Sequence, residues 1–559
     1  MKTNCFRSNL IYRGAVALLL LFSLFLHIYR LGELPKGMEV DEVGMAYDSW
    51  CIGHFGVDRY LKSLPVYLNN YGGGQSVMYC YLAIPFVMAG GFNAAMARIP
   101  GLIFSMITGV VGFALIKKIR GRAAGLIYLF LFAALPYFTQ SGRVALDCNL
   151  MLGCVVIILY ILEFSLRQDE KALWCYLLLG IVTGISLYSY ALSNMILPLF
   201  FLLLYPFLRL FGKKISLRQI LIFFIPAFVI AVPLILVQVV NIWELPDMMI
   251  GPFTIPRIHF YRLTEISFSE IRPNITYIYQ SLFTSDNQEF DSFPQFGSLY
   301  IISLPMIVAG GVITLVRCVR AMKKKVLIFD GVILLFTFVM FAIALVLLGV
   351  TTYRINAVFF GLTFLIMVPI EACLKAWSRA VGTKSRGHNE GETSGAKADK
   401  RGIAVKRTPS KQGVWLGALG VLILCAYTVY AALFINYYFT RYEFEHYPQR
   451  LFAENPREVF EFLNGQDEAV RKRLTYMGGV NEAYAYYLLS MGISPYEYDV
   501  NEWGNNGDGE RFLFYAPEPY TADANYVFYV PDEEIDGKLK AIGFTRHDVG
   551  AYAVYLWKH

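Results

Sequence analysis

Two adjacent carboxylates, Asp41 and Glu42, follow the first strongly apolar segment of the chain after a short connector. This spacing places them just outside the end of a predicted membrane helix, where ionisable groups are costly unless they face water, a partner or a substrate. A carboxylate near a membrane surface tends towards a raised pKa, which suits a general base. Asp41 is therefore a candidate base, although the same spacing is equally typical of an N-cap on a short helix. Because adjacent side chains diverge on helices and strands, we expect Glu42 to have a different task, such as orienting the loop.

Two other polar stretches contain residues that could do chemistry. Residues 139–149 include Asp147, which could hold a substrate or an ion or could cap the apolar segment that follows. Residues 351–356 form a predicted tight hairpin that contains Arg354. No cofactor is required by these residues. A divalent cation has no support either, because the histidines show no metal-ligand spacing: His27, His54 and His259.

The composition is that of a polytopic α-helical membrane protein. Of the 559 residues, 56% are hydrophobic and only 16% are charged, whereas soluble domains carry roughly a quarter charged residues. The mean hydropathy is +0.48. The net charge of +7 does not indicate nucleic acid, because the basic residues cluster in short loops between apolar segments. The nine cysteines show no disulfide framework or metal-ligand pattern.

About eleven apolar runs are long enough to span a bilayer. They lie near residues 14–30, 99–116, 123–138, 149–166, 172–190, 194–211, 219–240, 298–316, 326–349, 355–374 and 413–436. No small-residue cleavage pattern follows the first run, so we predict a retained signal anchor.

One further run, residues 76–92, decides the topology. If it does not cross, the basic cluster at 117–122 joins the basic N-terminus and the later Lys- and Arg-rich loops on one side of the membrane. The positive-inside rule favours this arrangement. We therefore predict that residues 76–92 form an interfacial helix of the first outer loop. The protein is then a multi-pass plasma membrane protein with a cytoplasmic N-terminus.

The chain divides into a membrane region, residues 1–436, and a C-terminal region, residues 437–559. The first outer loop covers residues 31–97, and residues 376–412 are predicted to be a disordered cytoplasmic linker. Charged and polar residues return after residue 437, together with short helix-like and strand-like segments. We predict a small extracytoplasmic α/β domain there, large enough for its own core and without a catalytic motif.

Several motifs, in order, resemble those of the GT-C glycosyltransferases. The group that they most resemble is the bacterial branch of the protein O-mannosyltransferase and lipid A aminoarabinose transferase superfamily. The resemblance covers roughly the first 210 residues well and is weaker up to the hairpin at 351–356. It rests on these segments: Val40-Asp41-Glu42, Ala46-Tyr47-Asp48, Gly72 to Pro85, Ala97 to Pro100, Ser141 to Asn149 and Gly184 to Tyr190.

The resemblance implies inverting transfer of a sugar from a polyprenyl-phosphate carrier to a protein, lipid or polymer acceptor on the outer face. Such transfer needs a base that takes the acceptor proton, for which Asp41 is the candidate. The leaving group is a lipid phosphate, stable as an anion, so it needs cations or hydrogen-bond donors but no general acid.

The resemblance also implies a set of site residues. The catalytic candidates are Asp41, Glu42 and Asp147. Arg143 and Arg354 are the candidates for phosphate, although a lone arginine at a membrane surface more commonly snorkels. The remaining substrate-binding candidates are Gln75, Tyr79, Asn149, Tyr353 and Asn356.

Two other classes of function fit parts of the sequence. A lipid or glycan transporter or flippase would also have many spans, but transporters more often carry mid-span charges and internal repeats. A sensor would use the C-terminal region to bind a ligand, but eleven spans are more than anchoring needs. The sequence does not identify the sugar, the carrier length or the acceptor.

Overall fold

The computed structural model describes residues 2–168, 172–258, 265–284, 292–381, 411–498 and 511–557. Up to Thr440 its helices are α1 (Lys2–Ile28), α2 (Val40–Phe55), α3 (Met78–Gly90), α4 (Ala94–Arg120), α5 (Arg122–Ala134), α6 (Pro136–Ser141), α7 (Cys148–Arg167), α8 (Leu173–Ser186), α9 (Ser193–Leu210), α10 (Leu217–Ile242), α11 (Ile271–Tyr279), α12 (Ser303–Lys323), α13 (Phe329–Val346), α14 (Val358–Val381) and α15 (Lys411–Thr440). His259 and most of the predicted linker lie outside the described residues.

Among the described residues, nine helices are long and apolar enough to cross a membrane: α1, α4, α7, α9, α10, α12, α13, α14 and α15. The other two predicted spans are shorter helices, α5 with 13 residues and α8 with 14. Helix α5 begins beside Asn9 of α1, and the short α6 that follows it brings Arg143 to Leu26 at the other end of α1. Helix α8 begins beside the end of α7, where Tyr176 contacts Ser165, and Tyr188 just beyond it accepts from Met78 of α3. The described chain therefore passes through the bundle eleven times, as the sequence predicts.

Contacts between α1 and its neighbours define the two ends of the bundle. Arg122, which begins α5, donates from Nη1 to Oδ1 of Asn9 near the start of α1, at 2.6 Å. Arg98, in the first turns of α4, donates from Nη1 to the carbonyl oxygen of Leu31 just beyond α1, at 2.9 Å. Helices α1 and α4 are thus antiparallel, and α3 begins and ends at one end of the bundle. This agrees with the prediction that residues 76–92 do not cross the bundle, and the position of α3 along the membrane surface stays a prediction.

We call the end where α1 stops at Ile28 the loop end, and the opposite end, where α4 stops at Arg120, the basic end. Arg120 is buried at the basic end between two carboxylates, those of Asp330 on α13 and Glu371 on α14. Lys213 there donates to the carbonyl oxygen of Leu166 at 2.7 Å. The clusters of Lys and Arg at residues 117–122, 213–218 and 317–325 all lie at this end, as the charge pattern predicts.

The loop end carries two short antiparallel hairpins besides α2 and α3. They are formed by β1 (Leu68–Asn70) with β2 (Gly73–Gln75), and by β3 (Met248–Ile250) with β4 (Phe253–Ile255). Tyr71 and Gly72 join β1 to β2, and both have positive φ, 50° and 80°. This is the two-residue turn whose twist matches that of the strands.

The C-terminal region folds as an α/β domain around a five-stranded sheet. Its helices are α16 (His446–Leu451), α17 (Arg457–Asn464), α18 (Glu468–Arg471), α19 (Ala483–Met491) and α20 (Glu533–Ile542). Its strands are β5 (Thr475–Gly478), β6 (Phe512–Leu513), β7 (Asn525–Tyr529), β8 (Phe544–Val549) and β9 (Tyr552–Trp557). The strand order is β6-β5-β7-β9-β8, with β5, β6 and β7 parallel and the other pairs antiparallel. Strand β7 is the middle strand of the sheet, and all of its residues are buried.

This domain rests directly on the first loop. Met38 pairs with Ala453 as an antiparallel bridge, and the hydroxyl of Tyr486 donates to the carbonyl oxygen of Met38 at 2.7 Å. Tyr47 on α2 donates to the carbonyl oxygen of Ile493 at 2.8 Å. Helix α2 therefore lies between the membrane helices and the C-terminal domain, which explains why most of its residues are buried.

Candidate functional site

A cavity of about 430 Å³ opens at the loop end of the bundle. Its walls come from the first loop, from the start of α7 and α9, from the last turns of α10 and from the segment before α14. The lining residues are Asp41, Tyr67, Asn70, Gly73, Gly74, Gln75, Leu146, Asp147, Cys148, Tyr190, Ala191, Leu192, Asn194, Met195, Leu234, Val237, Gln238, Glu265, Tyr353 and Arg354.

The cavity brings together half of the predicted site residues. Those that line it are Asp41, Gln75, Asp147, Tyr353 and Arg354. The other five do not line it: Glu42, Tyr79, Arg143, Asn149 and Asn356. Segments far apart in sequence thus supply two carboxylates, a cation and a tyrosine to one space.

Asp41 stands at the second position of α2 and is not its N-cap. The N-cap is Glu39, whose carboxylate accepts from the backbone N–H of Asp41 at 2.7 Å. Glu42 completes a capping box by accepting from the backbone N–H of Glu39 at 2.9 Å. The capping alternative for Asp41 is therefore wrong. Its Oδ1 instead accepts from Nδ2 of Asn70 at 2.7 Å, beside the cavity.

Glu42 is fully buried and positions two loops. Its carboxylate pairs with Arg98, with Nε–Oε1 at 2.9 Å and Nη2–Oε2 at 3.1 Å, and it also accepts from the backbone N–H of Ala145 at 2.5 Å. Successive residues on a helix point about 100° apart, so Glu42 turns away from the cavity that Asp41 faces. The divergence expected of these neighbours is present, and Glu42 orients the loop.

Asp147 caps α7 and also lines the cavity. Its Oδ1 accepts from the backbone N–H of Cys148 at 2.8 Å, and its Oδ2 accepts from that of Ser76 at 3.0 Å. Burial raises the pKa of Asp147 to about 7, and the nearby charge of Asp41 acts in the same direction. Asp147 is therefore the cap that one alternative predicts, and its place on the cavity wall leaves the substrate-holding role as a prediction.

Arg354 is the cationic group of the cavity wall among the described residues. Its Nη1 donates to the carbonyl oxygens of Leu348 at 2.7 Å and Gly349 at 2.9 Å. Its Nη2 donates to Oε2 of Glu265 at 2.7 Å, and Tyr190 interacts with the same guanidinium. The cation is thus held in place by the backbone while one of its sides faces a carboxylate.

Arg143 lies outside the cavity, buried against the end of α1. Its five N–H groups donate to the carbonyl oxygens of Leu26, His27, Arg30 and Leu34. Leu26 and His27 lie in the last turn of α1, where carbonyl oxygens lack intrahelical partners and a cation is stabilised. The phosphate contact predicted for Arg143 has no support in this arrangement, because every donor is used by the backbone.

The remaining predicted residues make contacts within the protein. Tyr79 donates to the carbonyl oxygen of Ala97 at 3.0 Å and accepts from the backbone N–H of Gly101 at 3.1 Å. Asn149 donates to the carbonyl oxygen of Val144 at 2.9 Å. Asn356 donates to the carbonyl oxygen of Cys148, which ties the segment before α14 to α7. Their contacts fix the loops that surround the cavity.

The glycines of the first hairpin form part of the cavity wall. Gly73 and Gly74 line it, and a Cβ atom on Gly74 would lie 2.4 Å from the ring of Tyr67. The next residue, Gln75, is buried, and its Oε1 accepts no hydrogen bond from any described residue. A buried acceptor on a cavity wall is suited to a ligand that brings a hydroxyl or amine donor.

Sequence reasoning missed several polar residues of the wall, notably Asn70, Glu265 and Tyr190. Tyr190 stands in a segment that carried the family resemblance, and that is a usable signal. Asn70 precedes the Tyr71-Gly72 turn but contacts Asp41, 29 residues away, which no local pattern reveals. In the described chain, no three His, Cys, Asp or Glu side chains are placed to hold a metal ion.

No known family model and no curated protein matches this sequence. Solved structures do match, and the similarity covers nearly the whole chain. ArnT from Cupriavidus metallidurans, bound to undecaprenyl phosphate, aligns with a TM-score of 0.52 at 11% identity over 97% of this chain and 98% of that one. Its apo state aligns with a TM-score of 0.54 at 10% identity over the same shares.

A second solved structure, of an archaeal enzyme, is similar over nearly the whole of this chain. The oligosaccharyltransferase AglB from Archaeoglobus fulgidus, in complex with an inhibitory peptide and a dolichol-phosphate, aligns with a TM-score of 0.52 at 10% identity over 99% of this chain and 75% of that one. The chain has the GT-C fold. At these identities the likeness shows the fold alone.

Proposed function

We propose that this protein is a membrane glycosyltransferase that moves a sugar from a polyprenyl-phosphate carrier to an acceptor. The observation that carries the proposal is the cavity in which Asp41, Asp147 and Arg354 meet at one end of a membrane bundle. Transfer from a lipid phosphate needs a carboxylate base and a cationic or hydrogen-bonding phosphate site, within reach of lipid. The GT-C fold supports this reading, since ArnT binds undecaprenyl phosphate and AglB a dolichol-phosphate.

Asp41 is the proposed base. It faces the cavity from the first turn of α2, where the positive end of the helix dipole stabilises an ionised carboxylate. The cap of α2 is supplied by Glu39, so capping places no demand on Asp41. In the proposed step, Asp41 accepts the proton of the acceptor hydroxyl while the oxygen of that hydroxyl bonds to C1 of the sugar. The C1–O bond to the carrier breaks, and the polyprenyl phosphate departs as an anion.

Asp147 is proposed to hold the acceptor or the sugar beside Asp41. Both of its oxygens already accept backbone N–H groups, which fixes the carboxyl group in one orientation. Its pKa is raised to about 7, so near neutral pH part of the population carries a protonated Asp147. As a protonated acid, it can donate a hydrogen bond to a sugar or acceptor oxygen.

Arg354 is the proposed phosphate ligand. Its pair with Glu265 leaves the guanidinium at the cavity wall, where an incoming phosphate would compete with that carboxylate for Nη2. The hydroxyls of Tyr190 and Tyr353 are close enough to interact with Arg354 electrostatically and supply further donors. Apolar residues of α9 and α10 continue the wall and suit the first isoprene units: Met195, Leu234 and Val237.

We further propose that the loop end faces the outside of the plasma membrane. The short loops at the opposite end carry the Lys and Arg clusters at residues 117–122, 213–218 and 317–325, and positively charged loops are retained in the cytoplasm. The N-terminus is then cytoplasmic, and the C-terminal domain covers the first loop from outside. Protein, lipid and polymer acceptors are all compatible with a cavity that opens there.

The test is transfer by purified protein. Polyprenyl-phosphate sugars are supplied with a panel of acceptors, and released polyprenyl phosphate is measured by chromatography. Asp41→Asn is the matched inactive control. We expect carrier release that depends on Asp41. Carrier that crosses vesicles intact, with no cleavage for any sugar or acceptor, would contradict the proposal and favour a transporter.

A further inference from the structure

A buried ion pair lies directly behind Asp41. Arg59 contacts Asp48 of α2 from Nε at 3.1 Å to Oδ1 and from Nη2 at 2.9 Å to Oδ2. The backbone N–H of Arg59 also donates to Oδ1 of Asp48 at 3.0 Å. Both side chains are fully buried. Removing two charges from water is expensive, and well-packed apolar residues often stabilise as well as a buried pair. Its presence next to the cavity therefore needs an explanation beyond stability.

The pair continues through an amide to the proposed base. Nη2 of Arg59 donates to Oδ1 of Asn70 at 2.7 Å, and Nδ2 of Asn70 donates to Oδ1 of Asp41 at 2.7 Å. An arginine can only donate, so it can only face the oxygen end of the amide. Arg59 thereby turns the N–H end of Asn70 towards Asp41.

The packing around this chain of contacts is close. A Cβ atom on Gly44 would lie 2.7 Å from Nη2 of Arg59 and 2.9 Å from Oδ1 of Asn70, so α2 admits the contact only because it has a glycine there. The ring of Tyr71 stacks under the guanidinium with its centroid 4.7 Å away, and its hydroxyl donates to the carbonyl oxygen of Val40 at 2.8 Å. These contacts hold the Arg59 guanidinium and the Asn70 amide in fixed positions.

We propose that Arg59 and Asn70 are positioning residues that orient the Asp41 carboxylate and keep it ionised for the transfer step. The proposal rests on the proposed function of Asp41. Asp48 fixes Arg59, Arg59 fixes the Asn70 amide, and that amide donates to the carboxylate. A hydrogen bond to the charged form of an acid favours that form, and a buried cation behind the donor strengthens the effect.

Several titratable groups face Asp41 and would otherwise act against its charge. Glu39 lies two residues before it, at the N-cap of α2, and Asp147 faces it from the start of α7. Tyr71 and Tyr353 interact with it from the hairpin and from the segment before α14. Two of the four are carboxyl groups, whose negative charge disfavours a second negative charge nearby. The contact from Asn70, backed by Arg59, opposes them.

Asn70→Asp is the sharpest test. The new carboxylate can still accept from Arg59, so the fold is maintained, but the donor to Asp41 is replaced by a like charge. Protonation of Asp41 becomes easier, so the acid limb of the pH–turnover profile should move to higher pH, by about one unit. Asn70→Ala should move it in the same direction by less. Asn69→Asp is the matched control, because Asn69 lies on the opposite face of β1 and does not line the cavity.

A second readout does not depend on activity. A water-soluble carbodiimide with an amine nucleophile modifies protonated carboxyl groups, and the product on Asp41 is measured by peptide mass spectrometry across pH. The midpoint of labelling should rise in Asn70→Asp and stay in place in Asn69→Asp. An unmoved midpoint in Asn70→Asp, or an equal rise in both variants, overturns the proposal. The midpoint could also rise in Asn70→Asp while the wild-type protein transfers no sugar. That result would leave this inference standing and overturn the proposed function alone.

Discussion

The backbone N–H of Ser76 donates to Oδ2 of Asp147 at 3.0 Å and thereby joins the first loop to the second at the edge of the cavity. The same carboxylate caps α7 through its other oxygen. One side chain therefore fixes the wall of the site and the start of a membrane helix together.

The folded state should become less stable as pH rises from about 4 to about 7. Burial raises the pKa of Asp147 to about 7, whereas an aspartate in the unfolded chain ionises near 4. A raised carboxyl pKa contributes stability that is complete below the unfolded value and is lost as pH rises through the folded value. Thermal unfolding of wild type and Asp147→Asn across this range checks this. The variant should show the weaker pH dependence, and parallel curves would contradict the assignment.

Arg354→Ala should weaken binding of the carrier-linked sugar. The phosphate loses charge-assisted hydrogen bonds, each of which contributes roughly 1.5–3 kcal/mol, so the apparent affinity should fall by at least about tenfold. Arg143→Lys is a matched cation change outside the cavity. It should lower the melting temperature, because contacts to the end of α1 are lost, and leave donor affinity unchanged. If Arg143→Lys alone weakens donor binding, the phosphate site lies elsewhere.

The two ends of the bundle should face opposite sides of the membrane. Lys36 lies at the loop end and Lys324 at the basic end, and both are exposed. In intact cells, Lys36→Cys should react with an impermeant maleimide above the background from native cysteines. Lys324→Cys should react only after the membrane is made permeable. The reverse pattern would invert the proposed orientation.

The number of passes could be predicted from the sequence because each pass needs a continuous apolar run. The sequence did overstate the length of two helices. Apolar residues continue past α5 to Phe138 and past α8 to Tyr190, so neither helix end shows as a break in hydropathy. Helix α3 could be distinguished from a span because the placement of Lys and Arg, not hydropathy, indicates whether an apolar run crosses.

The site was predicted where local sequence carries the information. Asp41 and Asp147 each stand beside a span, and both line the cavity. The interpretation of Arg143 had no support in the structure, because a sequence does not show that backbone carbonyls already use all of the donors on a side chain. Asn70 and Glu265 were missed because their partners, Asp41 and Arg354, lie 29 and 89 residues away.

The central claim is that Asp41 acts as a base, and Glu39 provides its control. Asp41→Asn and Glu39→Gln each replace a carboxyl group by an amide at the start of α2. Burial raises the pKa of Glu39 well above its ordinary value. A glutamine in its place can still accept from the backbone N–H of Asp41, so Glu39→Gln is the milder change. Asp41→Asn, in contrast, removes the proton acceptor and leaves the Glu39 cap in place.

The deciding measurement is the rate of polyprenyl phosphate release by Asp41→Asn and Glu39→Gln, each with its melting temperature. The account predicts that Asp41→Asn melts like wild type and turns over roughly 10²–10⁴-fold more slowly, while Glu39→Gln stays within a few-fold of the wild-type rate. Near-normal release by Asp41→Asn would contradict it and would make Asp147 the better candidate for the base.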